Sequence, residues 1–161
     1  MKLYLDMATA GVEYEKFWRD IVGAVAFFSP AVNPIQKEFG ISSKELMRRL
    51  GVEMGRKASE SIKAENLRAV FSHLSDVWRR LVLGRLEVIS ETPLVIRISD
   101  CTICGQIPEL GRLFECSFHE GFFAGLLSHR LGRNVKVWQE GEMSGESGTW
   151  TRVYRFDASI E

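Results

Sequence analysis

The chain has 161 residues, of which 45% are hydrophobic and 26% charged, as is typical of one globular domain that buries a core without disulfide bonds. Its 21 basic residues equal its 21 acidic residues, so we expect neither nucleic acid nor an anionic membrane as its main partner. No apolar stretch is long enough for a membrane span, and Asp6 and Glu13 interrupt the amino-terminal segment where the apolar core of a signal peptide would lie. The cysteines number three, so we expect a single domain over residues 1–161 in the cytoplasm.

The first forty residues predict a helical extension. Apolar residues recur at helical spacing in VEYEKFWRDIVGAVAFF, and SPAVNP then ends the pattern because its prolines deny backbone donors. We expect residues 1–40 to contribute to a dimer interface, because their apolar surface needs more cover than one small sheet provides.

Two further helices are predicted before residue 85. One begins at Ser42 or Ser43, and its Gly51 and Gly55 would each cost about 1 kcal/mol relative to alanine, which indicates a close approach by another helix or backbone. The other is AENLRAVFSHLSDVWRRLVLG, whose apolar residues fall at steps of three and four until Gly84 ends the run.

The carboxy-terminal half alternates between strands and a helix. GRLEVIS and LVIRIS predict a hairpin, in which Leu94, Ile96 and Ile98 share one face. Residues 117–131 predict a helix that is apolar almost all round, and NVKVWQ and TWTRVYRF predict a second hairpin with EGEMSGESG as its exposed loop. The order predicts an α+β fold, with a four-stranded antiparallel sheet and about four helices.

All three cysteines lie in DCTICGQIPELGRLFECSFHEGFF. Cys101 and Cys104 follow a strand, whereas Cys116 and His119 are three residues apart at the start of a helix and so share a face. Two such ligand pairs separated by eleven residues are typical of a zinc site. Buried structural thiols and a Cys-x-x-Cys redox pair are the other interpretations, although the redox motif normally opens a helix in a βαβ unit.

The fourth metal ligand is open on spacing alone. His119 is paired with Cys116 by its position, but a histidine on an apolar helix is often an ordinary core residue. Glu120 is adjacent to it, and Glu140 or Glu142 of the second hairpin could supply a carboxylate instead.

Several segments resemble the 4-vinyl reductase domain. They are GRLEVISETPLVIRISDCTIC, FECSFHEGFFAGLLSHRLGRNVKVWQEGE, RVYRF and the helical LMRRLGVEMGRKASE, so the resemblance covers roughly residues 40 to 157, and the block from Cys116 to Gly132 is its most specific part. It implies a dimeric domain that binds hydrocarbon-like or aromatic small molecules. It also implies a fold shared with phenol-sensing regions of transcription activators, an accessory protein of bacteriochlorophyll synthesis and subunits of the TRAPP vesicle-tethering complex.

The resemblance also implies zinc beside the ligand pocket. In the phenol sensors one zinc ligand matches Cys116, and a glutamate and two cysteines come from the last hairpin. Here Met143, Thr151 and Val153 stand where those cysteines are expected. We therefore expect Cys101, Cys104 and His119 to replace the missing ligands, in a zinc site whose role is structural.

The functional prediction is a binding module. The chain has no phosphate-binding glycine loop, no nucleophile elbow and no histidine with evident acid–base partners. The candidate residues for an apolar pocket are aromatic side chains of the two most hydrophobic helices, although every core contains such residues: Phe71, Trp78, Phe122 and Phe123. The alternatives are an enzyme or accessory factor that reduces a vinyl-bearing tetrapyrrole and a TRAPP-like assembly protein. A sensor of this length would pass its output to a protein partner.

Overall fold

The computed structural model of the chain describes residues 43–80, 83–101, 117–144 and 150–160. In chain order these residues form α1 (Ser43–Ser61), α2 (Leu67–Arg80), β1 (Arg85–Glu91), β2 (Leu94–Ser99), α3 (Ser117–Leu131), β3 (Val137–Ser144) and β4 (Trp150–Phe156). The predicted α+β fold is confirmed, with three helices in the described part of the chain. The helix predicted within residues 12–28 lies outside the described residues.

The four strands form one antiparallel sheet in the order β1-β2-β4-β3. Leu94, Ile96 and Ile98 are buried on one face and Arg97 is exposed on the other, as the alternation predicts. Ile96 is opposite Tyr154 in the register between β2 and β4, and Tyr154 is fully buried. The helices therefore cover the face of the sheet that carries these apolar side chains.

The end of β3 differs from the prediction, and the end of α2 is described only in part. β3 continues through Ser144 because it pairs with β4 along its length, so the first residues of the predicted loop EGEMSGESG are strand. In the described residues α2 ends at Arg80, and the Leu83 N–H donates to the Trp78 carbonyl at 2.9 Å. Gly84, predicted as the cap, has a φ of 116° and lies where a Cβ atom would crowd the carbonyl oxygen of Ser99.

Helices α1 and α3 pack at unusually short range. A Cβ atom on Gly51 or Gly55 would overlap a backbone carbonyl oxygen of α3, and one on Gly121 or Gly125 would overlap a carbonyl oxygen of α1. The close approach predicted for Gly51 and Gly55 is thus confirmed, and its partner is a second pair of glycines with the same spacing. This contact holds α3 against the rest of the core. No helix in the described ranges is long and apolar enough to cross a membrane.

Candidate functional site

The four aromatic residues predicted to line a pocket lie together in the core, between α2 and α3. The ring centroid of Trp78 is 5.5 Å from that of Phe122 and 6.3 Å from that of Phe123. Phe71 is 6.3 Å from Phe123, and all four side chains are at most 2% exposed. We call this group and the rings that contact it the aromatic cluster: Phe71, Trp78, Phe118, Phe122, Phe123, Tyr154 and Phe156.

His119 is the polar residue inside the aromatic cluster. It lies in the first turn of α3, is 4% exposed, and its ring centroid is 6.3 Å from that of Trp78 and 6.1 Å from that of Tyr154. Its Nδ1 atom is 3.4 Å from the Tyr154 hydroxyl.

Cys101 follows β2 by two residues and lies close enough to His119 to act on its charge. The thiol is buried, with 3% of the residue exposed, and the chain turns into it through Asp100, whose φ is 56°. Arg85 at the start of β1 holds this turn, because its Nε and Nη2 atoms lie 2.9 and 2.7 Å from Asp100 Oδ2. Aspartate is one of the few residues other than glycine that adopts this backbone conformation readily.

The electrostatics of His119 favour the neutral imidazole. Burial lowers the pKa of His119 because the charged ring loses its hydration, the nearby Cys101 partly raises the pKa, and the positive charge of Arg152 lowers it further. Both Cys101 and Arg152 are therefore close enough to His119 to act on its charge. A neutral ring has a lone pair for a metal ion or a hydrogen bond.

Two of the four predicted zinc ligands can be placed. Cys101 and His119 are far apart in sequence but close enough in the fold for Cys101 to act on the charge of His119, while Cys104 and Cys116 lie outside the described residues. Among the described residues no group of three or more His, Cys, Asp or Glu side chains could hold a metal ion. A thiol and a neutral imidazole are nevertheless donors that zinc prefers, so the two described residues fit the predicted ligand set.

The carboxylates considered as alternative ligands have other contacts. Glu120 accepts a hydrogen bond from the backbone N–H of Gln139 at 3.2 Å, which joins α3 to β3. Glu140 pairs with Arg155 at 2.8 Å on the sheet. The side chain of Glu142 is not among those that the structure describes. His119 thus remains the candidate ligand on whose charge Cys101 acts.

The sequence prediction missed two residues of this site, Tyr154 and Arg152. Both are on β4 and buried, and Arg152 Nη1 donates to the Gln139 side-chain oxygen at 3.1 Å. The available signal was the period of two in TWTRVYRF, which places residues 152, 154 and 156 on one face. A buried arginine at the end of that row indicates a polar site within the core, since buried charge needs partners.

A cleft of about 660 Å³ lies at the opposite end of α3, and the sequence prediction missed it as well. None of the four predicted pocket residues is among its described lining residues. Its polar rim carries two arginines and two carboxylates, and Arg130 and Arg133 already donate to backbone carbonyls. Phe156 links it to the aromatic cluster, because this residue lines the cleft and its ring is 5.8 Å from that of Phe123.

Comparison with known sequences found one curated relative, and no protein-family model matches the chain. An uncharacterized protein of Methanocaldococcus jannaschii is 35% identical over 103 residues, which are 64% of this chain. The matched segment spans 58% of that relative, so the chain covers less than two thirds of its length.

Three solved structures have the same arrangement of helices and strands. The phenol-responsive sensory domain of the transcription activator PoxR, solved with phenol, has a TM-score of 0.56 at 12% identity, covering 82% of this chain and 73% of its own. A trafficking protein particle complex subunit 3 from Naegleria fowleri, covalently bound to palmitic acid, has a TM-score of 0.56 at 11% identity, covering 87% and 96%.

The third structure is a vinyl-4-reductase family protein from Methanocaldococcus jannaschii. It has a TM-score of 0.53 at 16% identity and covers 98% of this chain and 95% of its own. At such identities the likeness concerns the fold. The chain therefore has the fold that a vinyl-4-reductase family protein, a phenol-sensing domain and a trafficking-complex subunit share, as the resemblance in its sequence implies.

Proposed function

We propose that this chain is a non-enzymatic module that binds a hydrophobic or aromatic small molecule, with a zinc ion beside the pocket at the start of α3. The observation that carries the proposal is His119, a buried imidazole close enough to Cys101 for the thiol to act on its charge. Burying a polar ring among apolar side chains is unfavourable, so a core that existed only for packing would have an apolar residue here. A neutral imidazole has a lone pair that can bind a metal ion.

The ligand class follows from the side chains around His119. The aromatic cluster offers ring faces and edges, which attract apolar and aromatic molecules, and few polar groups that would select a strongly charged one. Two proteins with this fold were solved with phenol and with palmitic acid, which are ligands of the same apolar character. We therefore assign the pocket to the aromatic cluster, with Phe71, Trp78, Phe122 and Phe123 as its wall.

The zinc ion would have a structural role. Cys101, Cys104, Cys116 and His119 would enclose it, so that it joins the end of β2 to the start of α3 and leaves no open position for catalysis. Three thiolates and one imidazole around Zn²⁺ carry a net charge of minus one, and the positive charge of Arg152 near His119 would compensate it. Thiolate ligands require a reducing compartment, which supports the cytoplasm as the location.

The module would act as a twofold dimer. Residues 1–40 would supply part of the interface, and any signal from ligand binding would pass to a protein partner. Sedimentation at micromolar concentration is expected to give about twice the mass of one chain. A monomer at that concentration would contradict the proposed dimer, but it would not contradict the proposed ligand pocket or zinc site.

Native mass spectrometry of the purified protein tests the proposal, because it reports metal, ligand and subunit number together. We expect about one zinc ion per chain, and we expect Cys104→Ser and Cys101→Ser to lose most of it. Ser75→Ala is the control, since its hydroxyl bonds the Leu86 carbonyl on another part of the core and should leave zinc in place. Protein without metal whose three thiols all react in the folded state would exclude zinc.

Incubation with candidate ligands tests the other half of the proposal. Hydrophobic and aromatic compounds are expected to raise the melting temperature in a saturable way by mass action. They should be recovered chemically unchanged after long incubation with nicotinamide or flavin cofactors. Chemical conversion of a compound would show that the chain is an enzyme and not only a binding module.

A further inference from the structure

The cleft at the carboxy-terminal end of α3 has no role in the function proposed above. Four parts of the fold form its walls: the entry to α2, the β1–β2 turn at Pro93, the last turn of α3 and the segment after β4. The Leu94 N–H donates to the Ala158 carbonyl at 2.8 Å, which fixes that segment to the turn. Small-molecule sites are mostly preformed and measure roughly 300–1,000 Å³, so this cleft of about 660 Å³ has the size of one.

Four charged side chains line the cleft, and two of them neutralise each other. Arg133 Nη2 donates to the Asp157 carbonyl at 2.8 Å, and Arg133 Nη1 is 3.8 Å from the Asp157 carboxylate. The same carboxylate accepts a hydrogen bond from the Lys136 N–H at 2.8 Å. Arg133 and Asp157 therefore have their partners within the protein.

The other two charged side chains, Arg130 and Glu65, make no ion pair with any residue that the structure describes. Arg130 donates to the carbonyls of Ile62 and Ala64, which fixes its guanidinium in the wall of the cleft. These bonds use two of its five N–H groups and leave its positive charge uncompensated. Glu65 follows Ala64 directly and is exposed, so an unmatched carboxylate lies one residue from the carbonyl that Arg130 contacts.

The remaining lining is largely apolar. Leu67 and Phe156 contribute to the wall, and Leu131 is 38% exposed although it is a large hydrophobic residue. Apolar surface that stays in contact with water inside a concavity favours the binding of an apolar group there. The cleft thus combines one unmatched cation, one unmatched anion and an apolar surface.

We propose that this cleft binds a zwitterionic small molecule with an apolar side chain, which is the chemistry of a hydrophobic α-amino acid. Its carboxylate pairs with Arg130, its ammonium group with Glu65, and its side chain packs on the apolar wall. A simple carboxylic acid would leave Glu65 beside a second negative charge, and a simple amine would leave Arg130 beside a second positive one. The inference is independent of the zinc ion and of the pocket in the aromatic cluster.

Isothermal titration calorimetry with leucine and three partial analogues tests the proposal. Isocaproate lacks the ammonium group, isoamylamine lacks the carboxylate, and glycine lacks the apolar side chain. We expect saturable binding of leucine and at least roughly tenfold weaker binding of each analogue, since each loses one charged or apolar contact. Absence of saturable leucine binding, or isocaproate binding as tightly as leucine, would overturn the proposal.

Variants of Glu65 locate the site, because this exposed residue can be replaced without disturbing the core. Glu65→Gln is expected to weaken leucine binding roughly tenfold by removing the partner of the ammonium group. Glu65→Lys is expected to weaken leucine binding further and to strengthen isocaproate binding, a reversal that a loss of stability cannot produce. Glu53→Gln is the control, since this exposed carboxylate pairs with Arg56 on α1 and does not line the cleft.

The same variants separate this inference from the proposed function. Glu65→Gln should leave the binding of uncharged aromatic compounds unchanged, because their proposed pocket is the aromatic cluster. Unchanged leucine affinity in Glu65→Gln would overturn the cleft as an amino-acid site, whatever the result for aromatic compounds or zinc.

Discussion

Gly51 of α1 and Gly121 of α3 face each other so closely that a Cβ atom on either would overlap backbone of the opposite helix. The overlapping atoms are carbonyl oxygens of Phe118 and Arg48, which cannot move aside as the end of a flexible side chain can. Because His119 follows Phe118 directly, this helix crossing also sets the position of the candidate site.

Gly51→Ala is expected to destabilise the protein despite the better helix propensity of alanine. The propensity gain is about 1 kcal/mol, whereas forcing two packed helices apart typically costs about 1–3 kcal/mol, so the net free energy of unfolding should fall by up to about 2 kcal/mol. Urea unfolding measures it. Lys57→Ala, on the exposed face of α1, is the control and should change little. A Gly51→Ala protein more stable than wild type would show that the helices do not meet as closely as described.

Asp100→Val is expected to expose the thiol of Cys101. A β-branched residue is strained at the φ of 56° that Asp100 adopts, at a cost of roughly 1–3 kcal/mol, and the turn that buries Cys101 should loosen. The measurement is the rate of reaction with a thiol reagent in a Cys104→Ser, Cys116→Ser background without metal. Asp100→Gly is the control, since it keeps the backbone conformation and removes the pair with Arg85. Equal reaction rates in the two variants would show that loss of the ion pair with Arg85, and not backbone strain, exposes the thiol of Cys101.

Phe122→Ala is expected to weaken the binding of aromatic ligands and to lower stability. Phe122 is fully buried and contacts Trp78 and Phe123, so its loss leaves a cavity that costs about 3–5 kcal/mol. Affinity must therefore be measured well below the melting temperature of the variant, with the fluorescence of the buried Trp78 as a reporter. Leu74→Ala is a matched control, since it also opens a fully buried position of the core but lies outside the aromatic cluster. Equal losses of affinity in both variants would show that the ligand does not bind at the aromatic cluster.

Acid is expected to destabilise the zinc-free protein through His119. Burial and Arg152 lower the pKa of His119 in the folded state, so below its ordinary value of about 6.5 the unfolded chain binds a proton that the folded protein resists. The free energy of unfolding should therefore be unaffected above about pH 6.5 and decrease as the pH falls, until the lowered pKa is passed. The charged or titratable groups that act on the ring are Cys101 and Arg152, with the Tyr154 hydroxyl beside it.

Urea unfolding in chelator at about pH 7.5 and about pH 5.5 measures this dependence. His119→Gln should have a smaller decrease than wild type, because the other two histidines are present in both proteins. The same pH dependence in the variant would assign the acid sensitivity to other groups.

The type and order of the described elements could be predicted from the sequence because their signals are local. The apolar spacing of residues 117–131 and the alternation of LVIRIS report directly on helix and strand, and the structure places both as predicted. Gly51 and Gly55 likewise indicated that another part of the backbone approaches α1 closely, but the sequence did not show that this part is α3. The extent of β3 was predicted too short, since pairing with β4 extends a strand into a polar segment.

The sequence by itself determined the residue types of the candidate site, a cysteine and a histidine at metal-ligand spacings and a set of aromatic side chains in helices. Only the tertiary structure decided that Tyr154 stands at Nδ1 of His119, 35 positions away in the chain, and that Arg152 acts on the same ring. The physical reason is that such neighbours depend on the register between β2 and β4 and on the glycine crossing of α1 and α3. Hydrophobic periodicity determines which face of an element is buried, but the partner of that face follows from the packing of all the elements at once.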